Sequence, residues 1–365
     1  MVAILDNQRL ICSMFRALTS RRLLLILFSI ASLVFIYHQM RVNLKQNFKQ
    51  MHSNFKQVVG QRADMCDETD LTYFPNGTVD FRGFNNYTGY PSQCYLVPDL
   101  VHMIKFNQSE FNFIEMICIA SILINHKPRE LWIHTNTDFG FQGKYWEAIT
   151  RLPLFDRVRV RYLEKPKTVF NFSLEHGYGP WHASDIVRLR LIQNYGGIYF
   201  DGDVFVVQSM HAYRRFEFGL EWNYDMFLGT QIEFGHKDAR IIPLWLDTYK
   251  QYNASLWYYN AGELPTTSIL YHKPELIHRV RDKFGTAYES MLYHLYRKSL
   301  FSLGLALFSS GNHWDWHDYS AIHLFIRHQD YDFDETSVFS YQDTPIRQMI
   351  LSVMPDFLYP TITTK

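Results

Sequence analysis

The sequence predicts an α/β fold with a mostly parallel sheet, placed behind one membrane-spanning helix and a stem. Three observations predict it. From about residue 95 onward, strand-like apolar runs alternate with helix-like ones, the pattern of a parallel sheet covered on both faces. An uncharged run, LLLILFSIASLVFIY, fills residues 23–37. The segment between the two is first polar and then rich in turn residues.

Composition narrows the function. The chain has 365 residues, enough for two ordinary domains or one large domain with appendages. Its 36 Lys and Arg balance 36 Asp and Glu, so the basic surplus of a general nucleic-acid binder is absent. With 20% charged and 47% hydrophobic residues it is not a disordered chain. A mean hydropathy of −0.20 excludes a polytopic membrane protein but not a single span. Four cysteines are too few for a disulfide scaffold.

Taken to residue 40, the apolar run reaches 18 residues, near the lower limit for crossing a bilayer. No small-residue cleavage site follows, which favours a retained anchor. Arg9, Arg16, Arg21 and Arg22 before the span match Arg41, Lys45, Lys49 and Lys56 after it, so basic residues do not set its orientation. The large C-terminal region, with N-x-S/T sequons at Asn76, Asn86, Asn107, Asn171 and Asn253, favours a lumenal domain and glycosylation there. A short single anchor suits the thinner membranes of the early secretory pathway. The expected organisation is a cytoplasmic tail (1–22), an anchor (23–40), a lumenal stem (41–93) and a catalytic domain (94–365) in a type II Golgi membrane protein. Leu44, Phe48, Met51 and Phe55 fall at helical spacing in the stem. Cys66 and Cys94 bracket its turn-rich part and are either bridged or free, Cys12 falls in the tail, and Cys118 lies in an apolar run.

Within the C-terminal domain, strands are expected at 95–104, 130–136 and 158–163, and a helix at 110–125. The informative stretch is HASDIVRLRLIQNYGGIYFDGDVFVV, residues 182–207. Ser184 suits a helix N-cap, with Asp185 in the first turn. Gly196-Gly197 ends the helix, and 198–207 reads as one strand. On an extended strand, Asp201 and Asp203 point to one side, with no side chain at Gly202 between them. Two carboxylates on one buried face call for a hard divalent cation, Mn²⁺ first and Mg²⁺ second, which would also neutralise a departing diphosphate. Asp185 and Arg188 share a helix face that can meet the pair. The bland alternative is a surface ion pair and a simple Asp-Gly-Asp turn.

The ordered set Ser184, Asp185, Arg188, Gly196, Gly197, Tyr199, Asp201 and Asp203 (S-D-x-x-R, then G-G-x-Y-x-D-x-D) resembles the donor-binding motif of glycosyltransferase family 32. The type II anchor, FIEMICIASILINH, RLPLF and YSAIHLF are similar to the animal α-1,4-galactosyltransferase and α-1,4-N-acetylglucosaminyltransferase branch. Three features depart from that branch, one being cysteine usage sparser than in its typical vertebrate members. Its G-P-x-x-x-T segment is met here by NAGELPTTSIL, with Gly262, Pro265 and Thr267, and Phe325 replaces a Trp. The resemblance implies a GT-A-type, Rossmann-like nucleotide-sugar-binding domain. It also implies a donor that is a UDP-sugar rather than GDP-mannose, transfer of a hexose or N-acetylhexosamine to a glycan or glycolipid, and retention of configuration. By the same resemblance Asp185, Arg188, Tyr199, Asp201 and Asp203 hold the donor. His323 joins Asp201 and Asp203 at the metal, and Asp185, Arg188 and His323 act in catalysis.

Other constellations are weaker. His313 and His317 are four apart, but no Glu sits between them as a zinc protease requires, and His328 adds no further spacing. Trp314 and Trp316 suit an acceptor groove or the core. The competing function class is an inactive glycan-binding or scaffolding membrane protein, which need not keep Asp201, Asp203 and Arg188. A soluble secreted hydrolase is disfavoured by the anchor and by the lack of a nucleophile motif.

Overall fold

A computed structural model of the protein describes residues 79–90, 95–223, 225–296, 314–328 and 333–359. The expected tail, anchor and most of the stem, with Cys12, Cys66, Cys94, Asn76 and His313, lie outside the described residues. Among the described residues no helix is long and apolar enough to cross a membrane.

The expected alternation forms the first half of the domain. Strand β1 (Leu100–Ile104) pairs in parallel with β2 (Glu130–Thr135), and β2 with β3 (Val158–Tyr162). Between β1 and β2 runs helix α1 (Phe113–Ser121), prolonged by a π-helical turn, Ile122–His126. The expected start at residue 110 is three residues early. Asn112 caps the helix by accepting from the Glu115 N–H, while the Glu115 carboxylate accepts from the Asn112 N–H. Helix α2 (Lys144–Thr150) leads to β3. A small hairpin, β4 (Thr168–Val169) with β5 (Phe172–Ser173), precedes the long helix α3 (Gly179–Tyr195).

After α3 come β6 (Gly197–Phe200) and β7 (Val204–Val206), then β8 (Phe218–Glu221) and β9 (Gly229–Gly235). Next follow α4 (Ile241–Thr248), β10 (His278–Val280), β11 (Phe284–Gly285), α5 (Tyr288–Tyr296) and β12 (Ala321–His323). Two further helices, α6 (Ser337–Ser340) and α7 (Pro345–Val353), close the domain. The main sheet has the order β10-β8-β9-β6-β1-β2-β3 and is parallel except where β9 meets β6 and β8; β11, β12 and β7 make a second, three-stranded sheet. The apolar core lies on both faces. Val101, Met103, Ile133, Ile198 and Phe200 pack with α1 on one side, and Tyr199, Phe218 and Leu220 with α3 and α4 on the other. That is the two-faced burial the continuous apolar strands predict.

Two expectations about 182–207 are corrected. Ser184 does not cap the helix. The helix begins five residues earlier, at Gly179, with Pro180 in its first turn, so Ser184 and Asp185 lie within it. Gly179 is required there because a Cβ would meet the Leu174 backbone at 2.6 Å. The expected single strand is two strands in different sheets, and Asp201-Gly202-Asp203 is the turn joining them, closed by the Val204 N–H donating to Asp201 O (3.1 Å).

The sequons separate by burial. Asn86 is fully buried; its amide donates to Glu217 Oε2 and Glu275 O, and its Oδ1 accepts from the Glu217 N–H. This holds Asn86 away from any modifying enzyme in the folded domain, against the expectation of a glycan there. Asn107 and Asn171 are exposed and Asn253 is half-buried. Cys118 is a buried free thiol.

A pair of buried histidines sits on the α3 side of the sheet. His102 Nε2 donates to Gly196 O (2.9 Å), so its Nδ1 accepts from His134 Nε2–H (3.0 Å). Burial depresses both, His102 to about 4 and His134 to about 3. The folded state therefore holds them neutral while an unfolded chain takes up protons below about 6.5. Stability is expected to be fully present above that pH and to fall as the pH drops from 6.5 toward 4. Denaturant melts at pH 7 and pH 5 check this. His102→Gln should flatten the slope, and an unchanged slope would count against the assignment.

Candidate active site

The parallel strands end at one cavity of about 810 Å³, lined by Ile104 at the end of β1 and by the Asp201–Asp203 turn beyond β6. This is where an open α/β sheet binds ligands. Of the residues singled out in the sequence, Ser184, Asp185, Arg188, Tyr199, Asp201, Asp203 and His323 all line it. Trp314 and Trp316 do not. Trp316 is buried in the core, and Trp314 stacks on His294 with ring centroids 4.9 Å apart. His317 lies in a 3₁₀ turn, largely exposed, against Asp315.

Arg188 organises one half of the site. Its guanidinium is buried, sits 2.9 Å from Asp185 and 3.3 Å from Asp201, donates to Thr230 O and lies 4.7 Å over the Tyr199 ring. Tyr199 in turn donates its hydroxyl to Asp201 Oδ1 (2.7 Å). Burial raises the Asp185 carboxyl despite Arg188. Beneath them Glu233 is fully buried with neither oxygen hydrogen-bonded, and burial pushes it up to about 8.

Asp203 belongs to the other half. It accepts from His323 Nε2 (2.9 Å) through Oδ1 and from the Ile326 N–H (3.1 Å) through Oδ2. Burial alone would raise its pKa, but the His323 contacts and the Ile326 N–H hold it below the usual range. The two aspartates of the turn thus have different partners: Asp201 faces the helix and Asp203 the second sheet.

The donor set suits a hard divalent cation. Asp201 and Asp203 offer carboxylate oxygens, and His323, whose Nε2–H goes to Asp203, has its buried Nδ1 without a hydrogen bond and open to a ligand. Three carboxyls, Asp185, Asp201 and Asp203, face the one buried guanidinium of Arg188 in this half-buried cluster, so acidic groups outnumber the cation. A tighter trio, Asp99, His126 and His211, has ligand atoms within 4.8 Å of one another. It lies at the opposite end of β1. There the Met210 N–H donates to His126 Nδ1 (3.3 Å), turning the Nε2 proton toward Asp99, and Arg214 donates to His211 Nδ1 (2.9 Å). Those contacts occupy the nitrogen lone pairs a cation would need.

Sequence reasoning missed Glu221, Glu233 and the aromatic rim formed by Trp181 and Trp257. The signal available was an acidic residue within otherwise apolar strands, FGLE and GTQIEFG.

The stretch that carries most of these residues is similar to known proteins. Residues 112–224 match the family described as "Glycosyltransferase sugar-binding region containing DXD motif". A particular relative is the "Glucan organizing enzyme 1" of Cryptococcus neoformans var. grubii, 24% identical over 180 residues, 44% of this chain and 46% of that protein. The chain therefore spans about half the length of the curated relative it matches. Among solved structures it is similar to the galactosyltransferase LgtC in complex with donor and acceptor sugar analogs (13% identity, 71% of this chain, 98% of that one, TM-score 0.38). It is also similar to the PaToxG glycosyltransferase (19%, 53% and 75%, TM-score 0.38). A third similar structure is GlyE of Streptococcus pneumoniae TIGR4 (11%, 71% and 60%, TM-score 0.40).

Arg188→Ala would strip the half-buried Asp185 and Asp201 of their shared buried cation. The expected loss is about 3 kcal/mol of unfolding free energy, the scale for breaking a buried ion pair from one side. Chemical denaturation checks it, and a loss below about 1 kcal/mol would show that Arg188 does not hold this cluster together.

Proposed function

We propose that the protein is a metal-dependent retaining glycosyltransferase of GT-A type. On this reading it moves a hexose or N-acetylhexosamine from a nucleotide sugar, a UDP-sugar rather than GDP-mannose, to a glycan or glycolipid. The observation that carries the reading is the convergence of Asp185, Arg188, Asp201, Asp203 and His323 on one cavity at the carboxyl ends of the sheet. Its support in comparison is the DXD-type match over residues 112–224, which takes in Asp185, Arg188, Asp201 and Asp203. The anchor at 23–40 and the exposed sequons Asn107 and Asn171 support a type II Golgi protein with this domain in the lumen.

A bound divalent cation would neutralise charge on the departing nucleoside diphosphate. Asp201, Asp203 and His323 are the residues that would hold it. Arg188 keeps Asp201 oriented, and Asp185 presents its carboxyl to sugar hydroxyls so that the anomeric carbon faces the acceptor. In the transfer, the acceptor oxygen bonds to the anomeric carbon from the side the diphosphate leaves. The sugar–phosphate bond breaks, and the hydroxyl proton passes to the leaving phosphate. Such a step needs charge stabilisation more than a protein nucleophile.

Asp203→Asn should lower transfer by at least about 100-fold, in the range of losing a principal electrostatic group. Its melting temperature should stay close to the parent's, and chelation of the purified lumenal protein should abolish turnover. Full activity in excess chelator would remove metal dependence from this reading. Proton NMR of the new linkage should show an α-anomer from an α-linked donor, and a β-linked product would establish inversion instead.

A further inference from the structure

Glu221 ends β8 as the wall of the same cavity, and nothing in the donor-binding motif accounts for it. It is 4% exposed. Its Oε2 accepts from the Thr286 N–H (2.8 Å) and from Thr286 Oγ1, and its Oε1 accepts from Asn223 Nδ2 (2.6 Å). Among the described residues no basic side chain forms an ion pair with it. A carboxylate has about four lone-pair sites, so one on Oε1 stays open.

The backbone is arranged around this carboxyl. Sheet register shifts between Leu220 and Glu221, where Glu221 pairs with Gly229, an irregularity of the kind that re-aims a side chain beside a site. A Cβ on Gly229 would meet Thr286 Oγ1 at 2.5 Å, so glycine leaves the room in which Thr286 reaches Glu221. A buried carboxyl without a cation costs the fold stability, and a glutamine would make the same anchor to Thr286 without that cost. Departures of this kind are kept where a ligand completes the hydrogen bonding.

We infer that Glu221, held by Asn223 and Thr286, is a sugar-binding residue that accepts a hydrogen bond from a hydroxyl of the saccharide entering the cavity. This rests on the glycosyltransferase reading and adds to it a carboxylate anchored on Thr286, which follows Gly285 where that residue pairs with Ile322 beside His323. The hydroxyl belongs either to the donor sugar or to the acceptor glycan, and the two sources separate experimentally.

The test compares the full chain with Glu221→Gln, which keeps the anchor to Thr286 and removes the anionic acceptor. Binding of UDP with Mn²⁺ by calorimetry and the melting temperature should be unchanged in the variant. Nucleotide-sugar turnover, screened over a panel of donors, should fall roughly 10- to 100-fold in kcat/KM, the scale of a hydrogen bond to a charged group. If the hydroxyl is the donor's, hydrolysis without acceptor falls equally. If it is the acceptor's, hydrolysis is preserved and the acceptor KM rises. Burial pushes Glu221 to about 7, with Asp282, Tyr258 and Tyr319 as the titratable groups facing it. The parent's activity limb between pH 6 and 8 should therefore flatten in the variant. Parent-like kcat/KM for both reactions, with a parent-like pH profile, would overturn the inference. A parent protein that binds UDP with Mn²⁺ but turns over no donor, or binds neither, would instead overturn the glycosyltransferase reading and this inference with it.

Discussion

The buried guanidinium of Arg188 is the interaction on which the site depends. One side chain of helix α3 balances Asp185 on its own helix and Asp201 beyond strand β6, stacks on Tyr199 and reaches the β9 backbone at Thr230. Helix, central strand and neighbouring antiparallel strand are thereby tied at one point, directly under the cavity. A charge this deep is tolerable only when it is paired, as both terminal nitrogens of Arg188 are. The upward push that burial gives Glu233 beneath it fits that balance, since Asp185 and Asp201 already outnumber the one guanidinium.

The covalent geometry that allows this is the Gly196-Gly197 junction. Both residues adopt positive φ (67° and 123°), and side chains there would strike Pro98 Cδ at 2.8 Å and Leu100 O at 2.5 Å. With no side chains in the way, α3 turns directly into β6 and its Arg188 face lies against the strand's end. Gly196 also offers its carbonyl to His102, which couples the junction to the buried histidine pair in the sheet. The same turn that serves the site therefore carries part of the acid sensitivity of the fold.

Beyond β6 the chain leaves one sheet for another at Asp201-Gly202-Asp203. The two carboxylates share the cavity because the turn presents both of them to it, not because strand alternation aligns them. Their separate partners follow from this. Asp201 remains with the main sheet and α3, while Asp203 is held by His323 and the Ile326 N–H from the second sheet's far end. A residue 120 positions later in the chain completes the site because β12 pairs with β7 in antiparallel register, His323 opposite Val204.

The alternation of apolar runs determined the α/β class and placed β1, α1, β2 and β3 within a few residues, because a strand buried on both faces and a helix with a broad apolar face are local patterns. The ordered set Asp185, Arg188, Gly196, Gly197, Tyr199, Asp201 and Asp203 was likewise legible, since all of it lies within about twenty residues of chain. The helix start at Gly179 was not legible, because it rests on Pro180 and on contact with Leu174 rather than on a polar cap. Nor was the break at Asp201, where an apolar run continues in sequence while its hydrogen bonds pass to another sheet. Asn86 reads as a sequon, and only packing against Glu217 buries it. Glu221 and its partner Thr286 are 65 residues apart, and only tertiary pairing brings them to one wall of the cavity. Local periodicity and spacing are written in the chain; the partner that satisfies a buried charge is supplied by whichever distant element the fold packs against it.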